Sequence, residues 1–229
     1  MSNALKSPGR LSRPLGACLL AAVSILAGCL TAREIERTRH YALHPEITVE
    51  TAAPLDMTLG IRPLFAARAY GLPMAVLDND FQLVFGDRDQ WAEPPASSVT
   101  RALSDALVQT TRFKDVGNAA DMTRPDLLLT GELRIFQENR TLTPPAAELE
   151  VRLELRPARE PGVLWAETLR ESVPLDAPVP SAFAAAMNLA LARLAERAAM
   201  AIAAVEPPEE LMGRDTPPLR RNTRVLQRQ

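Results

Sequence analysis

Cysteine is almost absent from this chain of 229 residues, which contains only two, Cys18 and Cys29. Both lie near the N-terminus, the first inside an apolar run and the second directly after it. If the chain is cut before Cys29, a single cysteine remains and an internal disulfide bond is excluded. The folded part must then be stabilised by packing of its apolar side chains rather than by covalent cross-links.

Histidine and the usual catalytic motifs are equally scarce. The two histidines, His40 and His44, have no cluster of carboxylates beside them, and Pro45 disfavours a helix that would place both on one face. The sequence has no Gly-rich phosphate loop, no Gly-x-Ser-x-Gly motif and no cysteine–histidine pair. We therefore predict no metal site, no catalytic residue and no enzyme activity. An enzyme stays open as an alternative, which hydrolase or transferase activity of the purified domain would support.

An excess of basic charge is also lacking. The chain has 26 Lys and Arg against 28 Asp and Glu, which gives a formal net charge of −2. Residues 1–28 contain three basic residues and no acidic one, so the rest of the chain is more acidic than the whole. This balance does not indicate nucleic acid as a partner.

The first 28 residues have the order of a secretory signal peptide. Basic residues come first, residues 15–26 (LGACLLAAVSIL) are apolar, and small residues follow. The uncharged run is at the short limit of the roughly 20 residues that a membrane-spanning helix needs. We predict a cleaved signal, with an uncleaved signal anchor as the alternative.

Residues 26–29 (LAGC) resemble the lipobox of bacterial lipoproteins. The resemblance implies cleavage between Gly28 and Cys29 and acylation of Cys29, so that a covalent lipid, and no cofactor, is expected there. Two or more acyl chains anchor a protein stably, whereas one holds it only marginally. Because Leu30 stands where an aspartate commonly retains such lipoproteins in the inner membrane, the resemblance implies the periplasmic face of the outer membrane of a Gram-negative cell.

Four regions follow from composition along the chain. Residues 1–28 are the signal peptide, and residues 29–56, which are polar and contain prolines, are predicted to be a lipidated tether with one ordered segment around residues 39–43. Residues 57–205 are predicted to form the folded domain. Residues 206–229, which contain prolines and arginines and few apolar groups, are predicted to be a disordered tail.

The strands are predicted from apolar residues that recur at every second position. Residues 57–63 are one candidate, and residues 74–77 and 81–85 form a hairpin around a turn at 78–80. Between Asp126 and Val173, three successive runs predict an antiparallel meander. In the clearest of them, residues 147–156, leucines and valine alternate with charged side chains, which indicates a sheet with one solvated face. Glu148, Glu150 and Glu154 are therefore assigned to salt pairing on that face rather than to catalysis.

Two helices are predicted around these strands. The first follows residues 91–95 (WAEPP), with Ser97 or Ser98 as its capping residue. The second spans about residues 181–205 and carries one continuous apolar stripe, which favours a helix that covers a sheet over a coiled coil. The predicted fold class is α+β: a single domain with an antiparallel or mixed β-sheet packed by two long helices.

Candidate contact residues are few. Arg88, Asp89 and Trp91 concentrate charge beside an aromatic ring at the start of the first helix, which predicts either a partner contact or a group that fixes the helix start. The solvent face of the predicted strands shows no obvious long apolar groove, although four aromatic residues could line one: Phe65, Tyr70, Phe81 and Phe85.

The order of several short motifs resembles the ABC-type transport auxiliary lipoprotein family, over roughly residues 29–205. Residues 64–70 and the tail depart from the family pattern. The residues that carry the resemblance are Tyr41-Ala42-Leu43 after the lipobox, Leu59-Gly60-Ile61, Gly71-Leu72-Pro73, Trp91-Ala92-Glu93-Pro94, and residues 125–136 (PDLLLTGELRIF).

The resemblance implies a non-catalytic partner of a lipid transport system in the cell envelope. Its expected partners are an MCE-type periplasmic protein and, indirectly, an ABC permease and ATPase. Family members related to the lipoprotein of the paraquat-inducible system can assemble in rings. The resemblance therefore also implies a homo-oligomeric ring. An activator of a cell-wall synthase is the alternative from another class, because a tethered α+β domain suits that task as well.

Overall fold

The structure is a computed structural model that describes residues 37–66 and 70–212. The predicted signal peptide, Gly28, Cys29 and the predicted tail from residue 213 onward lie outside the described residues. The secondary-structure elements within them are β1 Arg39–Tyr41, β2 Leu55–Ile61, β3 Phe65–Ala66, β4 Pro73–Leu77, β5 Leu83–Trp91, α1 Pro95–Gln109, β6 Phe113–Asn118, β7 Leu127–Asn139, β8 Ala146–Pro157, β9 Trp165–Pro174, α2 Pro180–Ala203 and α3 Glu209–Met212.

The predicted meander is confirmed. Strands β7, β8 and β9 pair antiparallel along their length, and the leucines and valine of β8 are completely or almost completely buried. The charged residues of β8 lie on the opposite face, where Glu150 forms an ion pair of 3.0 Å with Arg170 of β9. One face of the sheet is therefore packed and the other is solvated, as the alternation predicts.

The second edge of the 13-residue strand β7 is shared by three shorter strands. Its first residues pair in parallel with β2, its middle with β3 and its last residues with β4. Strand β6 then joins β2, β5 joins β4, and β1 joins β5 at the edge of the sheet. In the part of the chain that the structure describes, nine strands thus form one mixed sheet, and the chain has the predicted α+β fold.

A β-bulge in β7 changes which side chains face the core. Through Leu133 the odd-numbered residues point inward, but the register against β8 shifts between Leu133 and Ile135. An extra residue reverses the alternation beyond it. Ile135 consequently stands opposite Glu150 of the solvated face, and Phe136 becomes a fully buried core residue.

The two predicted helices are confirmed, and they cover the packed face of the sheet. Helix α2 buries the expected stripe, including Phe183, Met187 and Leu191. The predicted cap of α1 is wrong. The helix begins at Pro95 after Pro94, without a side-chain cap, because Ser98 lies inside the first turn and donates its hydroxyl to Glu93 at 2.8 Å. Proline suits the first helical position, where the missing N–H has no intrahelical partner.

Strand β6, Phe113–Asn118, is a strand that the sequence does not predict. Its apolar residues do not alternate, and it is aligned by parallel pairing with β2. Its place in the sheet therefore depends on a partner more than fifty residues earlier in the chain.

The predicted tether boundary at residue 56 is corrected by the structure. The described residues from Thr38 onward belong to one compact unit. Leu43 is buried, and the backbone N–H groups of His44 and Thr48 donate to side chains of α2 at 2.7 and 2.9 Å. This extended segment is part of the domain because it covers apolar surface and obtains hydrogen bonds that a free tether would lack.

The tail boundary at residue 206 is corrected in the same way. Arg112, which is 5% exposed, donates to the carboxylate of Glu206 at 2.9 Å and to the carbonyl of Ala53 at 2.7 Å. Pro207 is buried, and Leu211 of α3 packs against the core. A buried guanidinium needs such partners, so residues 206–212 complete the domain.

Candidate partner-binding surface

Trp91 lies inside the core and not at the surface. Its side chain is 1% exposed and makes edge-to-face contacts with Phe136 and Phe183, each with ring centroids 5.3 Å apart. The predicted partner contact is therefore wrong for Trp91, whose ring joins β5, β7 and α2. Its charged neighbours in the sequence suggested a surface position, whereas in the structure Phe136 of β7 and Phe183 of α2 pack against the ring.

Asp89 and Arg88, the other two predicted contact residues, lie in different surroundings from Trp91. Asp89 is held by Arg39 of β1, whose Nε and Nη2 each lie 2.8 Å from a carboxylate oxygen. Burial and the neighbouring Asp89 raise the pKa of Tyr41 above its ordinary value. Asp89 thus secures the pairing of β1 with β5. Arg88 is exposed, and its role as a partner contact stays a prediction.

Glu93, in the Trp-Ala-Glu-Pro motif, is also structural. Arg101 donates to its Oε2 at 2.8 Å and to the carbonyl of Leu43 at 3.4 Å. The hydrogen bond from Arg101, together with the one from Ser98, lowers the pKa of Glu93. The motif therefore fixes the start of α1 against the N-terminal segment.

Two further motifs of the family pattern shape the sheet. Asp126 accepts hydrogen bonds from the backbone N–H and the hydroxyl of Thr58 at 2.9 and 2.8 Å, which ties the start of β7 to β2. A Cβ added at Gly131 would lie 2.7 Å from the carbonyl oxygen of Arg152 and from Leu153. The residues that carry the family resemblance are therefore mainly determinants of the fold.

The tip of the β4–β5 hairpin is built by Asp78. One carboxylate oxygen of Asp78 accepts the N–H groups of Asp80 and Gln82 at 2.9 and 2.8 Å, and its carbonyl accepts that of Phe81 at 3.1 Å. This arrangement holds Phe81 at a φ of 60°. Such a φ is uncommon for a bulky residue without polar atoms in its side chain.

Phe81 contributes little to the core, because 77% of it is exposed. Val84 and Phe85, on the same hairpin, are 48% and 37% exposed, and successive residues of a strand point to opposite faces. We call Phe81, Val84 and Phe85 the hairpin surface. It presents apolar side chains from the tip and from both faces of a two-stranded ribbon, which is the type of surface that a partner protein buries.

A cavity of about 370 Å³ lies beside the hairpin surface. Met74, Val84 and Phe183 contribute apolar walls, and Asp89 and Glu138 contribute carboxylates. Glu138 is 2% exposed and is neutralised by Arg140, with Nε and Oε1 separated by 2.7 Å. The hydrogen bond to Glu138 raises the pKa of Arg140. The cavity can hold an apolar side chain of a partner within a rim of fixed charges.

The four aromatic residues that could line a groove separate in the structure. Phe81 and Phe85 belong to the hairpin surface, and Phe65 is exposed on β3, which pairs with the middle of β7. Tyr70 is buried and donates its hydroxyl to Gln137 at 3.0 Å. One groove lined by all four residues therefore does not form.

The described residues place no group of three or more His, Cys, Asp or Glu side chains where it could hold a metal ion. His40 and His44 are both exposed in the N-terminal segment. Among the same residues, neither long helix has the combination of length and apolar character that would cross a membrane. A one-sided sheet with an exposed apolar hairpin is typical of a domain that binds another macromolecule.

Comparison with known sequences identifies the family. The sequence model of the ABC-type transport auxiliary lipoprotein component matches residues 41–199, and the chain belongs to this family. It is therefore an auxiliary lipoprotein component of ABC-type transport. No curated protein matches the sequence significantly.

Solved structures show the same fold. The protein XCC0632 of Xanthomonas campestris superposes with a TM-score of 0.65 at 21% identity, and the match covers 71% of this chain and 93% of that protein. An uncharacterised protein superposes with a TM-score of 0.58 at 12% identity, covering 73% of this chain and 99% of that one. At these identities the similarity concerns the fold alone.

Proposed function

We propose that this chain is a non-catalytic outer-membrane lipoprotein of an ABC/MCE-type intermembrane lipid transport system. In this role it docks the periplasm-spanning, substrate-binding MCE-type protein, while the ABC ATPase and permease supply energy through that partner. Cys29 carries the lipid that holds the chain at the periplasmic face of the outer membrane. Membership of the transport auxiliary lipoprotein family supports the general role, and the hairpin surface supports docking.

The exposed and conformationally strained Phe81 is the observation that carries the docking proposal. A left-handed backbone conformation costs a non-glycine residue about 1–2 kcal/mol. Phe81 obtains little packing in return, since it is 77% exposed. Strain of this kind is found where function requires a particular side chain. An aromatic ring at a hairpin tip is suited to insert into an apolar recess of a partner.

The charges around the hairpin define the kind of recess that it fits. Asp78, Asp80 and Asp87 surround the apolar side chains, and Arg88 is the basic residue of the same ribbon. We infer that the docking site on the MCE-type protein is an apolar pocket with a basic rim. A homo-oligomeric ring, which the family resemblance implies, would present several copies of the hairpin surface around one conduit.

Site-specific cross-linking tests this function. The tagged full-length protein would carry a photoreactive phenylalanine at position 81 in its native host, and the cross-linked products would be identified by mass spectrometry. A protein with the same group at Val163, which is 54% exposed outside the hairpin, is the control. Cross-links to an MCE-type protein from position 81 and not from 163 are expected.

Three results would count against the proposal. Recovery of no MCE or ABC component from either position would contradict docking to such a system. Recovery of a cell-wall synthase from position 81 would instead support the alternative function. Hydrolase or transferase activity of the pure protein would contradict the non-catalytic assignment.

A further inference from the structure

Three connections meet at one end of the sheet and surround a second cavity, of about 690 Å³. Arg62 follows the last residue of β2, Arg124 precedes β7, and Arg159 lies between β8 and β9. All three arginines line this cavity, and no Asp or Glu lines it. We call this cavity the arginine cleft.

The three arginines differ from most others in the described residues because they have no internal partner there. None of their guanidinium groups forms a hydrogen bond or an ion pair within residues 37–66 and 70–212, although the backbone N–H of Arg62 donates to the carbonyl of Leu129 at 2.9 Å. Seven other described arginines are held by carboxylates: Arg39, Arg101, Arg112, Arg134, Arg140, Arg170 and Arg197.

Acidic residues close in sequence do not compensate the cleft. Asp121 and Glu160 are sequence neighbours of cleft residues but do not line the cavity. Asp126 does not line the cavity either, and its Oδ2 atom faces Thr58, from which it accepts two hydrogen bonds. In a chain of net negative charge, three uncompensated guanidinium groups around one concavity create a local positive potential that attracts anions.

Apart from Thr123, the remaining residues that line the arginine cleft have apolar side chains. Met122, Leu128 and the rings of Pro63 and Pro125 line it. A bare inorganic anion would leave most of this apolar surface and volume unused, whereas sites of about 300–1,000 Å³ commonly bind organic molecules. Guanidinium groups match phosphate oxygens in geometry and charge. We propose that the arginine cleft binds the phosphate of an anionic amphiphile, with the arginines on the phosphate and the apolar walls on its adjoining carbons.

A smaller cavity of about 330 Å³ adjoins the arginine cleft along β7, and the two cavities share Arg62 and Pro63. The lining of the smaller cavity includes the carboxylates of Glu132 and Glu154. The apolar portion of the amphiphile is therefore expected to stay on the apolar walls of the arginine cleft. This site lies on elements other than the hairpin and does not depend on the proposed function.

Titration calorimetry on the full-length protein, purified in a nonionic detergent without phosphate, tests the proposal. The probes are inorganic phosphate and dihexanoylphosphatidylglycerol. The test variant is Arg62→Gln/Arg124→Gln/Arg159→Gln, and all three residues are exposed. The control is Arg37→Gln/Arg193→Gln, which removes two exposed arginines whose side chains likewise have no partner among the residues that the structure describes. Equal thermal unfolding of both variants establishes that each is folded.

The triple variant is expected to bind dihexanoylphosphatidylglycerol at least about tenfold more weakly than the control, as the loss of one charge-assisted hydrogen bond already implies. Binding of the lipid without binding of inorganic phosphate assigns the site to an amphiphile. Equal affinity for both probes, lost together in the triple variant, assigns it to the phosphate group alone. Absence of binding to either probe, or equal binding by the triple variant and the control, overturns the proposal.

Discussion

The indole of Trp91 stands edge-on against the ring of Phe136, with an interplanar angle of 79°. Phe136 has this position because of the bulge in β7, and Phe183 of α2 closes the cluster from the helix layer at an angle of 63°. Three elements that are distant in sequence are thus joined by one aromatic cluster. Edge-to-face pairs add to the stabilisation that burial of the rings provides.

Trp91→Ala is expected to lower the free energy of unfolding by about 3–5 kcal/mol, because a fully buried aromatic ring is replaced by a cavity. Denaturant unfolding measured by circular dichroism gives this value. Trp165 is only half-buried, and Trp165→Ala is the control, with a smaller loss expected. Equal losses for the two tryptophans would contradict the central position of Trp91.

Gly131→Ala is expected to destabilise the domain by about 1–3 kcal/mol, the usual cost of inserting atoms into a packed region. The new Cβ would meet a backbone oxygen of the neighbouring strand β8, which cannot turn away as a side chain can. Gly117→Ala in β6 is the control, because its Cβ would have ordinary contacts of 3.7 Å to Met122. Thermal unfolding of the two variants should differ in midpoint, and equal midpoints would refute the close approach.

Phe81→Gly separates stability from partner binding. Relief of the left-handed backbone stabilises the fold by about 1–2 kcal/mol, and the greater freedom of glycine in the unfolded chain offsets about 0.4–1 kcal/mol of this. We therefore expect unchanged or increased stability together with reduced capture of the partner. Thr111, at a φ of 51°, is the other non-glycine residue with positive φ in the described chain. Thr111→Gly should change stability similarly and leave capture intact, whereas a loss of capture in both variants would contradict the hairpin surface.

Glu93 makes the stability of the folded protein depend on pH in the acidic range. Because Arg101 lowers its pKa in the folded state, Glu93 stabilises the protein above its unfolded pKa, near 4.5, and this contribution is lost as the pH falls through the lower folded value. Glu93→Gln should therefore show a shallower loss of stability below about pH 4.5 than the parent protein. Glu50→Gln, at an exposed position, is the matched control and should retain the parent slope. Identical acid profiles for all three proteins would exclude this coupling.

The candidate surface was only partly visible in the sequence. Phe81 and Phe85 were identifiable as apolar residues beside a turn, but neither the exposure of Phe81 nor its positive φ is encoded in a recognisable pattern. Trp91 was misassigned because charged neighbours surround it. The arginine cleft was not predicted, since Arg62, Arg124 and Arg159 are far apart in sequence and no spacing rule connects them. The three residues come together because each lies in a different connection between strands, and these connections meet at one end of the sheet.

The sequence by itself determined the elements whose signal is local. The alternation in β8 and the apolar stripe of α2 repeat over enough residues to define a face, whatever surrounds them. Tertiary structure decided the rest: the bulge that turns Phe136 inward, the pairing of β6 with β2, and the hydrogen bonds of His44 and Thr48 to α2. These features depend on pairing and burial between distant residues, whose free energies outweigh local preference and leave no periodic trace in the chain.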